Sequence, residues 1–209
     1  MTNRGLLTLL LSTLFVTSGC LDGLNQQDDK NFWGEDCEET PDLICIAGPA
    51  PDFELVDQFN NTVNMSQFEG KVVVITFIYT HCPDVCPVGL AVIRDVLNSN
   101  DIFEQVKALF VTLDPERDTP EKLQKYTAFF HSNILGLTGS DQEIREMSAS
   151  YGTSFRRADT VLEAIDGQEG YTIDHSTYYY LIDSAGELVR VLDYASKPEE
   201  IADLLIKLI

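Results

Sequence analysis

Two cysteines with three residues between them, Cys82 and Cys86, follow the run Val72-Val73-Val74-Ile75-Thr76-Phe77-Ile78-Tyr79 and precede a stretch with helical spacing. The pair therefore belongs at a strand–helix junction. A helix start offers unpaired N–H groups and the positive end of the macrodipole, and both lower a thiol's pKa. Cysteines four positions apart at such a start have Cα atoms about 6 Å apart, within disulfide range. They can equally turn both sulfurs toward one soft metal ion. Reversible Cys82–Cys86 disulfide exchange and metal binding are the two chemistries open to the pair.

The chain has only three histidines, His81, His131 and His175. His175 lies in Tyr171-Thr172-Ile173-Asp174-His175-Ser176-Thr177, just ahead of a strand pattern. A lone histidine is more often structural than a ligand. Here histidine is scarce, and Asp174 or Ser176 can supply the hydrogen bond that orients a ligand imidazole. His81 adjoins Cys82 and is expected to lower that thiol's pKa from outside the ligand set. His131, at a helix end, reads as a surface residue. Asp114 and Asp118 are expected to shape a turn and to cap a helix, respectively.

The elements that must position these groups alternate. Residues 52–56 and 62–64 suggest a short hairpin, and the unbroken apolar run 71–79 a strand buried on both faces. Helical spacing over 88–97 is followed by a second buried strand, 108–113. Asp118-Thr119-Pro120-Glu121 carries the signature of a helix start, with the helix running to about residue 130. A short strand (134–137), a helix (141–151), a hairpin (177–182 with 188–192) and a last helix opened by Pro198 complete the pattern. This is an α/β domain with a mixed sheet, and it shows no internal repeats.

The 209 residues split into a leader, a tether and one domain. Arg4, the short apolar core 6–16 and Thr17-Ser18-Gly19-Cys20 are similar to a bacterial lipoprotein signal over residues 1–19. Cys20 is then the lipidated residue that anchors an extracytoplasmic domain to the membrane. Thr17 stands where such signals carry an aliphatic residue, and an uncleaved N-terminal anchor is the alternative. Residues 20–48 read as an acidic tether, with the folded domain at 49–209. Cys37 and Cys45 flank a Pro-containing loop and are expected to form a structural disulfide, against free thiols or a second metal site. Fourteen Lys and Arg face 34 Asp and Glu, a net charge of −20. Phosphate backbones would be repelled, so nucleic acid is excluded as a partner.

Three motifs in order, 79–87 (Tyr-Thr-His-Cys-Pro-Asp-Val-Cys-Pro), 114–120 (Asp-Pro-Glu-Arg-Asp-Thr-Pro) and 171–176 (Tyr-Thr-Ile-Asp-His-Ser), give the chain a strong resemblance to the Sco/SenC family of copper-binding proteins. The resemblance implies a thioredoxin-like fold: a mixed central sheet flanked by helices, with an inserted hairpin. It implies that Cys82, Cys86 and His175 bind copper. It also implies a metallochaperone, taken as a monomer, that helps build the binuclear copper site of cytochrome c oxidase subunit II or of another copper-receiving protein. The alternative is an extracytoplasmic thiol–disulfide oxidoreductase that reduces the cysteines of that site. Soft thiolates suit Cu(I), and an added imidazole lets the same site hold Cu(II). A structural zinc site would want a fourth ligand, and none is evident. The Pro-x-x-x-Thr/Ser-x-x-Cys setting of a peroxidatic cysteine is absent, since Ile75 and Tyr79 occupy its key positions. Cys37 and Cys45 lie outside the family pattern.

Overall fold

The computed structural model describes residues 43–162 and 170–209. In chain order the elements are β1 (Leu43–Pro49), β2 (Glu54–Asp57), β3 (Thr62–Asn64), β4 (Val72–Ile78), α1 (Val85–Ser99), β5 (Val106–Thr112), α2 (Pro120–Thr127) and β6 (Ile134–Thr138). They continue with α3 (Asp141–Ser150), β7 (Phe155–Leu162), β8 (Gly170–His175), β9 (Tyr178–Ile182), β10 (Glu187–Asp193) and α4 (Pro198–Leu208).

Every residue of β4 is buried, which is why its sequence reads as a continuous apolar run and not as an alternation. β4 pairs in parallel with β5, and β5 with β6. Parallel neighbours require a crossover; α1 supplies the first and α2 the second. On its other side β4 pairs antiparallel with β9, and the full sheet order is β1-β10-β9-β4-β5-β6-β2-β3. The β7–β8 hairpin is a separate two-stranded ribbon inserted between α3 and β9. Phe77, Ile78, Leu90, Leu109, Phe110 and Leu123 are all essentially inaccessible to solvent. Each such side chain contributes about 1.5–3 kcal/mol of burial. The architecture is the expected thioredoxin-like one, a mixed sheet with four helices and an inserted hairpin.

Three features depart from the sequence expectation. Residues 43–48, read as the end of the tether, belong to β1, which pairs antiparallel with β10 at the sheet edge. A strand ending in Gly48-Pro49 is tolerated there because an edge need not donate every N–H. Helix α2 stops at Thr127, not near residue 130. The next N–H groups bond three residues back, Phe129 to Tyr126 and Phe130 to Thr127, so the chain tightens instead of continuing as α-helix. Finally, His175 precedes the strand β9 as expected, but it is also the last residue of β8, a strand that the element pattern did not disclose. Cys20 and Cys37 lie outside the described residues, so the lipid anchor and the Cys37–Cys45 bridge do too.

Candidate metal and thiol site

The site sits at the carboxyl ends of the parallel strands, where open α/β sheets place their reactive groups. β4 ends at Ile78, and residues 79–84 turn into α1. Asp84, the N-cap residue, makes no side-chain capping bond. The Cys82 sulfur takes that place, accepting the Cys86 backbone N–H at 3.4 Å. A sulfur that accepts from a helix N-terminus is held as an anion. Cys82 is half-buried, while Cys86, one helical turn on, is fully buried. Neither is disulfide-bonded.

The two thiols divide one proton between them. The Cys86 S–H bonds to the Cys82 sulfur and brings Cys82 down to about 5; burial opposes this, and the N–H groups of Asp84 and Cys86 support it. Cys86 moves the other way, pushed up first by its bond to Cys82 and then by burial. Cys82 is thus the thiolate and Cys86 the proton carrier at neutral pH.

His175 reaches the pair from the inserted hairpin, with Nε2 3.9 Å from the Cys86 sulfur. Its Nδ1 lies 3.0 Å from the Ser176 carbonyl oxygen, which can only accept, so Nδ1 carries the proton and the Nε2 lone pair faces the sulfurs. Burial pushes the imidazole pKa down, so the ring is neutral and able to ligate. The 3.9 Å gap is shorter than a metal–sulfur and a metal–nitrogen bond laid end to end, about 4.4 Å for a first-row ion. Cys86 and His175 are therefore close enough to meet at one ion, while among the described residues the Cys82 sulfur does not join them in a group of three ligand atoms within 4.8 Å.

Two expected helpers stand elsewhere. Asp174 does not orient His175; its carboxylate pairs with Arg156, its cross-strand partner, at 2.7 Å, because successive residues of a strand point to opposite faces. The orienting acceptor is the backbone carbonyl of Ser176. His81 is exposed and turned away from Cys82, with Lys122 Nζ 2.6 Å from its Nε2 and Asp118 3.8 Å from its Nδ1. Partial burial and then the Lys122 ammonium push its pKa down, so it offers Cys82 no positive charge. His131 is half-buried, and its Nδ1 accepts the Asn133 N–H ahead of β6.

The second motif supplies the scaffold, through contacts the sequence did not disclose. Thr119, not Asp118, caps α2, accepting the Lys122 N–H. Asp118 is fully buried and accepts the Thr80 N–H at 2.9 Å, the Thr80 hydroxyl, and the Thr112 hydroxyl at 2.7 Å. It thereby ties the cysteine loop to the end of β5. Asp114 shapes its turn as expected, its carbonyl accepting the N–H groups of Arg117 and Asp118. Its carboxylate pairs with Arg117 and accepts the Tyr171 hydroxyl at 2.6 Å, holding the hairpin. One short loop thus grips the cysteine side and the histidine side of the site. His81, Asp114 and Asp118 also bring ligand-type atoms within 4.8 Å of one another. Their acceptors are already engaged by Thr80, Thr112, Arg117 and Tyr171, so the cluster is an internal hydrogen-bond network and not an open cation site.

Comparison with known proteins gives the chain a family and the fold its relatives. The SCO1/SenC family model matches residues 48–209. A SCO2-like protein of Rickettsia felis is 35% identical over 167 residues, covering 78% of this chain and 77% of its own. The structure of Bradyrhizobium japonicum ScoI with copper bound superposes with a TM-score of 0.68 at 36% identity, covering 78% of this chain and all of that one. Yeast Sco1 with copper bound gives a TM-score of 0.66 at 31% identity, covering 77% and 87% of the two chains.

Proposed function

The chain belongs to the SCO1/SenC family, and from that premise we propose that it is a copper metallochaperone that binds Cu(I) and Cu(II) through Cys82, Cys86 and His175. The observation that carries the reading is the His175 imidazole, neutral, with its Nδ1 proton committed to Ser176 and its free Nε2 aimed at the Cys86 sulfur. A dithiol that only exchanges disulfides needs no such lone pair. Two soft sulfurs and one imidazole form a low-coordinate site, which can release its metal to an incoming thiolate by stepwise ligand exchange. The recipient is the binuclear copper site of cytochrome c oxidase subunit II or another copper-receiving protein. Exposed Val85 and Val88 on the first turns of α1 give such a protein apolar surface to meet beside Cys82.

A second reading has its own support. Cys82 is a half-exposed thiolate backed by a buried, protonated Cys86. In an oxidoreductase, the Cys82 thiolate attacks one sulfur of a target disulfide, that bond breaks, and a mixed disulfide forms. Cys86, after losing its proton, then attacks the Cys82 sulfur and releases the second target thiolate. The target gains two electrons and the Cys82–Cys86 disulfide holds the oxidised state.

Anaerobic Cu(I) and Cu(II) titration against a competing chelator, on the protein and on His175→Ala, separates the readings. The chaperone reading expects one copper per domain, with Cu(II) affinity hurt more than Cu(I) affinity by the substitution. No copper binding, with ready reduction of a disulfide substrate, selects the oxidoreductase. No helix among the described residues is long and apolar enough to cross a membrane. The proposed attachment is a lipid on Cys20, holding a monomeric domain outside the cytoplasm. A labelled fatty acid should enter the protein and fail to enter Cys20→Ser.

A further inference from the structure

Both readings of the site need a partner to reach Cys82, and the surface beside that thiol is apolar. Pro83 is exposed, and Val85 and Val88, which share a face of α1, are 46% and 59% exposed. Cys82, half-buried, stands at the edge of this patch.

The chain enters the domain at the same end. β1 is antiparallel to β10, β10 to β9 and β9 to β4, so β1 begins where β4 ends. Leu43 pairs with Leu192, and Tyr194, two residues on, donates its hydroxyl to the Cys86 carbonyl at 3.1 Å. Three strand spacings of about 4.8 Å separate β1 from β4, about 14 Å in all. Ten residues lead from Trp33 to Leu43, and that length of extended chain reaches about 33–36 Å. Trp33 is thus within reach of Val85 and Val88.

The sequence ahead of β1 carries groups that fit the patch. From Asn25 to Asp42 there are seven carboxylates and one lysine, the composition of a solvated spacer. Phe32 and Trp33, the latter the chain's only tryptophan, interrupt it. A spacer has no use for adjacent aromatic rings, which gain by leaving water against an apolar surface.

We propose that Phe32 and Trp33 dock on Pro83, Val85 and Val88, so that the chain's own N-terminal segment covers Cys82 until a partner displaces it. The contact is intramolecular, so the short reach gives it a high effective concentration and a small patch can hold it. It needs an approachable Cys82 and no metal, so a protein that binds no copper would sink the chaperone reading and leave this one standing.

Trp33 is its own probe. In the full metal-free chain its emission should lie at shorter wavelength than in the same chain unfolded in urea, and should not depend on protein concentration. Val85→Ser with Val88→Ser removes the patch at about equal helix propensity. The emission should then move toward the unfolded position while the urea midpoint holds. Trp33→Ser removes the cover and keeps the patch. A segment in place about two-thirds of the time shields the thiol about threefold, so alkylation by iodoacetamide, followed on the Cys82 peptide, should speed up by about that factor. This rate decides the matter if the paired serines unfold the domain. Emission at the unfolded position in the native chain overturns the proposal. So does emission that the serines leave unchanged, which would put Trp33 against lipid or another part of the domain. Emission that shifts with concentration overturns it by making the occupant a second copy, and an alkylation rate equal in wild type and Trp33→Ser overturns it as well.

Discussion

The Asp118 carboxylate accepts the Thr80 backbone N–H at 2.9 Å, across 38 residues of sequence. Thr80 is two residues before Cys82, and Asp118 is wholly buried, so the cysteine loop hangs on an internal anion. Asp114, four residues earlier, does the same for the hairpin through Tyr171. The angle between the cysteine loop and the histidine hairpin is therefore set by one turn that contributes no ligand.

Removing that anion should loosen the site without touching it. Asp118→Ala leaves the Thr80 N–H and the Thr112 hydroxyl proton without their acceptor. Hydrogen bonds to a charged group are worth about 1.5–3 kcal/mol each, so a loss of about 3 kcal/mol in urea unfolding is expected. Copper affinity should fall about tenfold or more, because the three ligands no longer start in register. Asp118→Asn, which keeps one acceptor oxygen, should lose roughly half as much stability. Wild-type stability in Asp118→Ala would show that the loop is held by other contacts.

Copper binding should release about one proton at pH 7, not two. Ligands must be deprotonated to bind a metal. Cys82 has already lost its proton, since its bond from Cys86 holds it at about 5. Cys86 is pushed up by Cys82 and by burial and still carries one. Burial holds His175 low, so it is neutral and loses nothing. The logarithm of Cu(I) affinity should rise by about one per pH unit between roughly pH 6 and 8, and more steeply below about pH 5, where Cys82 takes up a proton. Chelator competition across that range measures the slope. A slope of two at neutral pH would mean both thiols start protonated.

How much of this was legible in the sequence depended on whether a signal was local. The unbroken apolarity of residues 72–78 marks a strand buried on both faces, and Cys82 and Cys86 follow it directly, so their place needed no tertiary information. Thr119-Pro120 likewise announces the start of α2. The orientation of His175 was only half legible: its neighbour Ser176 supplies the acceptor, but through the backbone, which no side-chain pattern reveals. The partners of Asp118, Thr80 and Thr112, lie 38 and 6 residues away, and only the packing of β4 beside β5 brings them together. β1 was missed because it is an edge strand whose pairing with β10 spans the whole domain.

Asp174→Asn should leave copper binding unchanged, although Asp174 adjoins His175. Its carboxylate meets Arg156 in a pair whose side chains are 52% and 78% exposed. Exposed pairs of this kind contribute about 0–1 kcal/mol. Cu(II) affinity within about twofold of wild type, and a urea midpoint within experimental scatter, are expected. A tenfold loss of Cu(II) affinity would return Asp174 to the role of orienting the imidazole.

Gly89→Ala should destabilise the first turns of α1, although alanine is the better helix former by about 1 kcal/mol. A Cβ at Gly89 would stand 1.7 Å from the Cζ and hydroxyl oxygen of Tyr194. That ring is stacked on Tyr179, centroids 4.9 Å apart, and its hydroxyl donates to the Cys86 carbonyl at 3.1 Å. Tyr179 in turn donates to the Gly89 carbonyl at 3.1 Å. The missing side chain is thus the slot through which two tyrosines hold the helix that carries Cys86. Overpacking of this kind costs about 1–3 kcal/mol, enough to outweigh the gain in propensity. Tyr194→Ala empties the slot, so Gly89→Ala should cost little more once Tyr194→Ala is present, and the two changes should be far from additive in a urea double-mutant cycle. Additive losses, or a Gly89→Ala protein more stable than wild type, would mean that Tyr194 does not occupy that slot in solution.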